Sequence, residues 1–239
     1  MSTYVLIHGS WHGAWCWYKI IPLLQQAGHQ VIALDLPGHG RDWTAPREVS
    51  LQRYVESVCK VLDAQAEPVI LVGHSRGGIV ISQTAEHRSD KIRTLVYLAA
   101  FLIPNGETLM TTALSDPDSL IISNTVVNQE QGSTMLKAEA FRDALYGDCS
   151  QEDIVLATAL LTPEPIAPSA TPLCLSEEHF GRIPRVYIET LQDKGVTPAL
   201  QKNMYTVSPC QQILSMDTSH SPFLSQPQQL ASHLTSLSL

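Results

Sequence analysis

The segment Val69-Ile70-Leu71-Val72-Gly73-His74-Ser75-Arg76-Gly77-Gly78 constrains this chain more than any other. Its four leading apolar residues predict a strand buried on both faces. The glycines around Ser75 then predict a sharp turn from strand into helix. In such a turn the strand and the helix pass in close contact, so the positions two before and two after the serine must be very small. Gly73 and Gly77 meet that demand. The pattern is G-x-S-x-G, and the turn it encodes lifts a serine hydroxyl above the end of a parallel sheet.

The rest of the chain supplies that sheet. Tyr4–Ile7, Val31–Leu34 and Thr94–Leu98 are further short apolar runs. Amphipathic stretches separate them, as where Leu51, Tyr54, Val55, Val58 and Leu62 line one helical face. The alternation predicts an α/β fold with right-handed crossovers and a mostly parallel sheet flanked by helices. After Phe101 the rhythm breaks. Residues 104–182 are rich in Ser, Thr, Pro and Asp, with one clear helix that Ser150 caps in a Ser-x-x-Asp pattern closed by Asp153. This segment is expected to be an inserted cap, and residues 1–103 with 183–239 the core. Arg185–Glu189 and Gln212–Met216 predict the last two strands. Leu230, Leu234 and Leu237 give the terminal helix an apolar face that either packs in cis or meets a second copy in a homodimer.

Composition narrows the function classes. The 239 residues suit one large α/β domain, and 44% hydrophobic with 16% charged residues marks a chain able to bury a core. The net charge of -8 and pI near 5.5 argue against nucleic acid, which demands a basic footprint. No run approaches the ~18 apolar residues of a membrane span, and no targeting segment is expected ahead of Tyr4. Cys16, Cys59, Cys149, Cys174 and Cys210 are scattered, with no CxxC pair and no Cys/His ligand cluster. They are expected to be reduced thiols in a cytoplasmic protein, and neither metal nor cofactor is expected.

A serine nucleophile needs a base, since its hydroxyl is unreactive at its own pKa. In chains with this turn the order is serine, acid, histidine, with the histidine just beyond the last strand. His220 stands there, whereas the other histidines precede the serine or fall in helices or in the cap. The acid is expected after the strand before last, where Asp193 follows Thr190 by three residues. Asp217, only three residues before His220, is the rival. An oxyanion hole needs two backbone N–H donors: Arg76, next after the serine, and Ser10, in the loop His8-Gly9-Ser10-Trp11-His12-Gly13. The Arg76 side chain opposes the helix dipole and is expected to reach a carboxylate or solvent. Trp11, Trp15 and Trp17 either wall the substrate or pack helix onto sheet. Asp35-Leu36-Pro37-Gly38-His39-Gly40 looks like a structural turn.

Together these motifs resemble the plant methylesterase and hydroxynitrile lyase group of α/β-hydrolases, with its bacterial esterase relatives. The matching residues are His8–Trp17, Gly73–Gly78, Phe180-Gly181, Arg185–Ile188, Asp193–Pro198 and the His220 loop. The resemblance also takes in Leu145–Asp153 of the cap. It implies Ser75, Asp193 and His220 as a triad beneath a small cap with a mostly apolar pocket. It also implies that three positions separate the group's two chemistries. The lyases carry threonine where this chain has Gly9, glutamate where it has His74, and a lysine for departing cyanide where it has Ser221. Gly9, Trp11 and Ser221 are therefore expected to meet substrate, with Gly9 leaving open space for it. The expected function is a serine carboxylesterase acting on a small to medium, largely apolar ester through an acyl-serine intermediate. The alternatives are a lyase or other non-hydrolytic use of the triad, and a small-molecule receptor.

Overall fold

The computed structural model describes residues 1–237. The chain opens with strand β1 (Thr3–Ile7), helix α1 (Ile20–Gln26), strand β2 (Gln30–Leu34), helix α2 (Leu51–Asp63), strand β3 (Val69–His74), helix α3 (Gly77–His87) and strand β4 (Ile92–Leu98). Each apolar run becomes a strand, and the amphipathic stretch becomes α2. Ser50 caps α2 by accepting the Arg53 N–H, and Leu51, Tyr54, Val55, Val58 and Leu62 are its buried face.

Between Phe101 and Ile183 the chain leaves this rhythm. Short helices α4 (Leu109–Leu114) and α5 (Leu120–Asn124) precede strands β5 (Thr125–Asn128) and β6 (Ser133–Leu136). Helix α6 (Phe141–Leu145), helix α7 (Gln151–Leu160), the two-residue strand β7 (Glu164–Pro165) and helix α8 (Ile166–Ala170) follow. Strands β5, β6 and β7 form an antiparallel sheet in that order. Ser150 caps α7, accepting the Asp153 N–H. The Asp153 carboxylate does not close the cap on the Ser150 amide. It accepts the Ser150 hydroxyl instead and takes Lys19 Nζ at 2.7 Å and the Tyr18 hydroxyl at 2.9 Å, tying α7 to the core.

Strand β8 (Arg185–Thr190), helix α9 (Pro198–Val207), strand β9 (Gln212–Met216) and helices α10 (Pro222–Ser225) and α11 (Pro227–Ser236) complete the chain. The main sheet runs β2-β1-β3-β4-β8-β9, and all five pairings are parallel. Apolar clusters cover both faces. Leu230 and Leu234 of α11 are fully buried beside Ile20 and Leu24 of α1, so the terminal helix spends that face in cis. Among the described residues, no helix is long and apolar enough to cross a membrane.

This topology fixes where a site can form. The strand order reverses between β1 and β3, and loops leaving those two carboxyl ends diverge to opposite sides of the sheet. That divergence opens a crevice at the switch point. Ser10 follows β1 and Ser75 follows β3, while Asp193 and His220 follow β8 and β9 along the same edge.

Candidate active site

Ser75 sits at the turn from β3 into α3 with φ +53, a left-handed conformation that a serine holds only under constraint. The constraint is visible in the glycines. A Cβ on Gly73 would lie 2.7 Å from the Gly77 carbonyl oxygen, and one on Gly77 would lie 2.9 Å from the Ile7 carbonyl oxygen. The strained turn is also pinned at both ends of Ser75, whose N–H donates to Leu98 O and whose carbonyl accepts from Phe101 N. The hydroxyl reaches the floor of a cavity of about 320 Å³ and forms no hydrogen bond among the described residues.

His220 and Asp193 meet as a buried pair. The His220 Nδ1–H donates to Asp193 Oδ2 at 2.7 Å, leaving Nε2 as the ring nitrogen with a free lone pair. Asp193 is held from all sides. Its Oδ1 accepts the N–H groups of Gly195 and Val196, and its Oδ2 also accepts from Thr190 Oγ1 and Gln201 Nε2. Such a carboxylate can fix an imidazole in one tautomer and stabilise its charged form. Asp217 does not reach His220. It lies near the surface and accepts from Gln192 Nε2 at 2.9 Å.

Two further histidines brace this arrangement: His74, one of the three positions that separate the group's two chemistries, and His12, which the sequence did not single out. His74 Nε2–H donates to the His220 carbonyl at 2.8 Å, so the residue beside the serine holds the backbone of the histidine loop. Burial, with His220 and His12 nearby, pushes the His74 pKa far below its ordinary value, which keeps the ring neutral. His12 Nδ1–H donates to the Ser10 carbonyl at 2.7 Å, and its Nε2 accepts the Tyr146 hydroxyl at 2.8 Å. Burial lowers the His12 pKa to about 4. The His-x-x-x-His spacing from His8 to His12 was the signal that could have found it.

The backbone N–H groups of Ser10 and Arg76 donate to no acceptor among the described residues. Ser10 lines the cavity and Arg76 directly follows Ser75, so both unspent donors stand beside the serine. The Arg76 side chain is fully buried and runs away from the cavity. Its Nε lies 2.9 Å from Glu164 Oε1 as an ion pair, and its guanidinium carbon stands 4.6 Å from the centroid of the Tyr54 ring. The carboxylate expected for Arg76 therefore exists, and it comes from β7. Of 23 acidic residues, nothing in the sequence marks Glu164 as that partner.

Ser10, Trp11 and Ser75 line the cavity with mainly apolar walls, among them Phe101, Leu109, Ile121 and Leu200. Among the described residues, the charged side chains in its lining are Asp116 and Glu164, with no lysine, arginine or histidine beside them. Gly9 and Ser221 are buried and outside the lining. The space expected beside Gly9 is not open: a Cβ there would lie 2.8 Å from Ser75 Cβ and 2.9 Å from His74 Nδ1. That glycine serves the close approach of the β1 loop to the turn. Trp17 is packing, fully buried with its ring 5.2 Å from that of Phe223, and Trp15 lies outside the cavity. Among the described residues, no group of three or more histidine, cysteine or carboxylate side chains is arranged to hold a metal ion.

Residues 4–233 match the sequence model of the alpha/beta hydrolase family. A chloroplastic relative from Arabidopsis thaliana, named as a methylesterase, is 34% identical over 241 residues. That alignment takes in 96% of this chain, and the chain spans 62% of the relative's length. Methylesterase 1 of the same plant is 33% identical over 96% of this chain and 93% of its own. Among solved structures, a pyrethroid hydrolase from Sphingobium faniae JZ-2 superposes with a TM-score of 0.89 at 29% identity, covering 99% of this chain and 96% of that one.

Proposed function

Because the chain belongs to the alpha/beta hydrolase family, in the company of the plant methylesterases, we propose that it is a serine carboxylesterase acting on small to medium, largely apolar esters. The observation that carries the reading is the convergence at one sheet edge of a strained serine on a cavity floor and a buried histidine–aspartate pair. In this reading His220 Nε2 takes the Ser75 proton as Ser75 Oγ attacks the ester carbonyl. The N–H groups of Ser10 and Arg76 receive the oxyanion. His220 returns the proton to the departing alcohol, leaving an acyl-Ser75 that water hydrolyses by the same steps. Residues 104–182 act as the cap that walls the substrate, and the apolar lining favours uncharged acyl and alcohol groups. The buried thiols of Cys16, Cys59 and Cys149 suit a reducing compartment, and we assign the cytoplasm.

The lining also argues for hydrolysis over cyanohydrin cleavage. Departing cyanide is an anion, and an unpaired charge in an apolar cavity is costly. Among the described residues the cavity lining offers it no cation, and Ser221 stands where the lyases of the resemblance carry lysine. A threonine side chain at Gly9 would overlap Ser75 and His74. The test is an assay of purified protein against p-nitrophenyl butyrate and mandelonitrile under matched conditions. Ester cleavage with negligible cyanide release is expected. Cyanide release at a comparable rate, lost in Ser75→Ala, would overturn the choice of reaction.

A further inference from the structure

Glu164 stands at the centre of a buried charge cluster outside the serine, histidine and aspartate. It is 3% exposed, and Arg76 and His39 are fully buried. Its Oε1 faces Arg76 Nε at 2.9 Å. Its Oε2 accepts two donors, the Trp11 backbone N–H and His39 Nε2–H, each at 3.0 Å. Burial alone would push this carboxyl up. The Arg76 charge, His39 and the Trp11 N–H more than offset it and hold Glu164 below the usual carboxylate range, hence ionised.

Trp11 needs such an anchor. Its φ is +62, a conformation that a bulky residue keeps only when its surroundings over-determine it. Three contacts do so, all from the segment between β4 and β8. Glu164 accepts its N–H, Thr162 N donates to its carbonyl at 2.9 Å, and its indole Nε1–H donates to Thr134 O at 3.1 Å. The left-handed turn at Trp11 follows directly on Ser10, whose own carbonyl is fixed by His12. The Ser10 N–H shares its peptide plane with the Gly9 carbonyl, which accepts the His8 Nδ1–H at 2.8 Å, and the other side of Ser10 is braced by what holds Trp11. On the opposite side of the hole, Arg76 carries the second N–H on its backbone and meets the same carboxylate with its side chain.

Resting on the esterase reading above, we propose that Glu164 is a positioning residue for the oxyanion hole. One buried carboxylate from β7 holds both N–H donors, that of Ser10 through the neighbouring Trp11 amide and that of Arg76 through its side chain. It touches no reacting atom. It ties the geometry of the hole to the seating of the segment that covers the site.

Removing Glu164 alone would strand a buried guanidinium and could unfold the chain. The test therefore compares two double variants that share Arg76→Met. In Arg76→Met/Glu164→Gln the side-chain oxygen still accepts the Trp11 N–H, whereas in Arg76→Met/Glu164→Met nothing does. Neither carries the buried charge. Direct loss of an oxyanion donor costs ~10²–10³ in kcat, and misaiming one is expected to cost about 30-fold. The Gln variant should therefore exceed the Met variant about 30-fold in kcat on p-nitrophenyl butyrate, with KM agreeing within about threefold. Its affinity for a trifluoromethyl ketone, whose hemiketal oxygen occupies the hole, should be higher in the same proportion. Two folded variants, by circular dichroism, with equal kcat and equal ketone affinity would overturn the proposal. Labelling of wild-type Ser75 by a fluorophosphonate, with ester turnover, separates this failure from that of the esterase reading. A wild-type chain inert to both probes fails that reading and the proposal with it.

Discussion

Asp193 and Asp217 show how a short span of chain separates a structural role from a surface one. Asp193 leaves β8 into a turn whose amides of Gly195 and Val196 fold back onto its carboxylate, and Gln201 of α9 completes the cradle. The remaining valence of Oδ2 meets His220 Nδ1. Asp217 is closer to His220 in sequence, yet three residues of loop give it no route to the ring's far nitrogen. It pairs with Gln192 instead. Asp193→Asn should lower kcat by ~10⁴, because the amide favours the wrong imidazole tautomer, whereas Asp217→Asn should change kcat less than about threefold. Steady-state kinetics on both variants check this, and a larger loss from Asp217→Asn would contradict the assignment. The pairing of His220 with Asp193 was legible because strand order and chain order constrain where the two stand. Glu164 was not, because its partner Arg76 lies 88 residues away and only packing brings the two together.

At the scale of elements, the segment between β4 and β8 touches each loop that carries a candidate residue. Thr162 and Glu164 bond the Trp11 backbone beside Ser10. Ser119 donates to Gly195 O and Asp116 accepts the Thr197 N–H and hydroxyl, just beyond Asp193. Asp148 accepts the hydroxyl of Ser219, next to His220. Asp116 is 5% exposed, and both its oxygens are engaged. Asp116→Ala would leave two buried donors of Thr197 unpaired at the N-terminus of α9. The expected loss is ~2–4 kcal/mol, about 1–2 for each stranded donor. Urea unfolding measures it, and an unchanged midpoint would contradict the clamp. The six core strands were legible because each is a short apolar run; β1, β3 and β4 are buried nearly throughout, whereas the edge strands β2 and β9 keep their apolar residues only partly covered. The three strands of the inserted segment were not. They span four, four and two residues, β5 leaves Val126 and Val127 half exposed, and β7 contains Pro165. So short a strand, with a proline in it, carries no period for a sequence pattern to reveal.

Across the whole molecule, neutral buried histidines couple the site to acid stability. Burial is the main cause that lowers His8 and His74 far below the ordinary value of 6.5 and His12 to about 4. In the unfolded chain these rings bind protons near pH 6.5, and in the folded chain they resist doing so. The unfolded state therefore binds more protons between those values, so stability is fully present above pH 6.5 and is lost as pH falls below it. His12 alone should cost ~2 kcal/mol by pH 5, at about 1.4 kcal/mol per pH unit, with His8 and His74 adding in the same direction. Ionised Glu164 adds a further loss at lower pH, as acid protonates it. Urea midpoints at pH 7.5 and pH 5 test this: a clear fall is expected, and equal midpoints would contradict the neutral-histidine core.

The central claim is that the strained serine at the end of β3 forms a covalent acyl intermediate. The most direct measurement is the mass of the intact chain, acid-quenched during turnover of p-nitrophenyl butyrate, with the modified peptide then located. A gain of one butyryl group, carried on Ser75, is expected, and it should disappear as substrate is exhausted. In a folded Ser75→Ala protein both the adduct and at least ~10⁴ of the turnover should be gone. Ester hydrolysis at the wild-type rate by Ser75→Ala, or an acyl group found on another side chain, would contradict it.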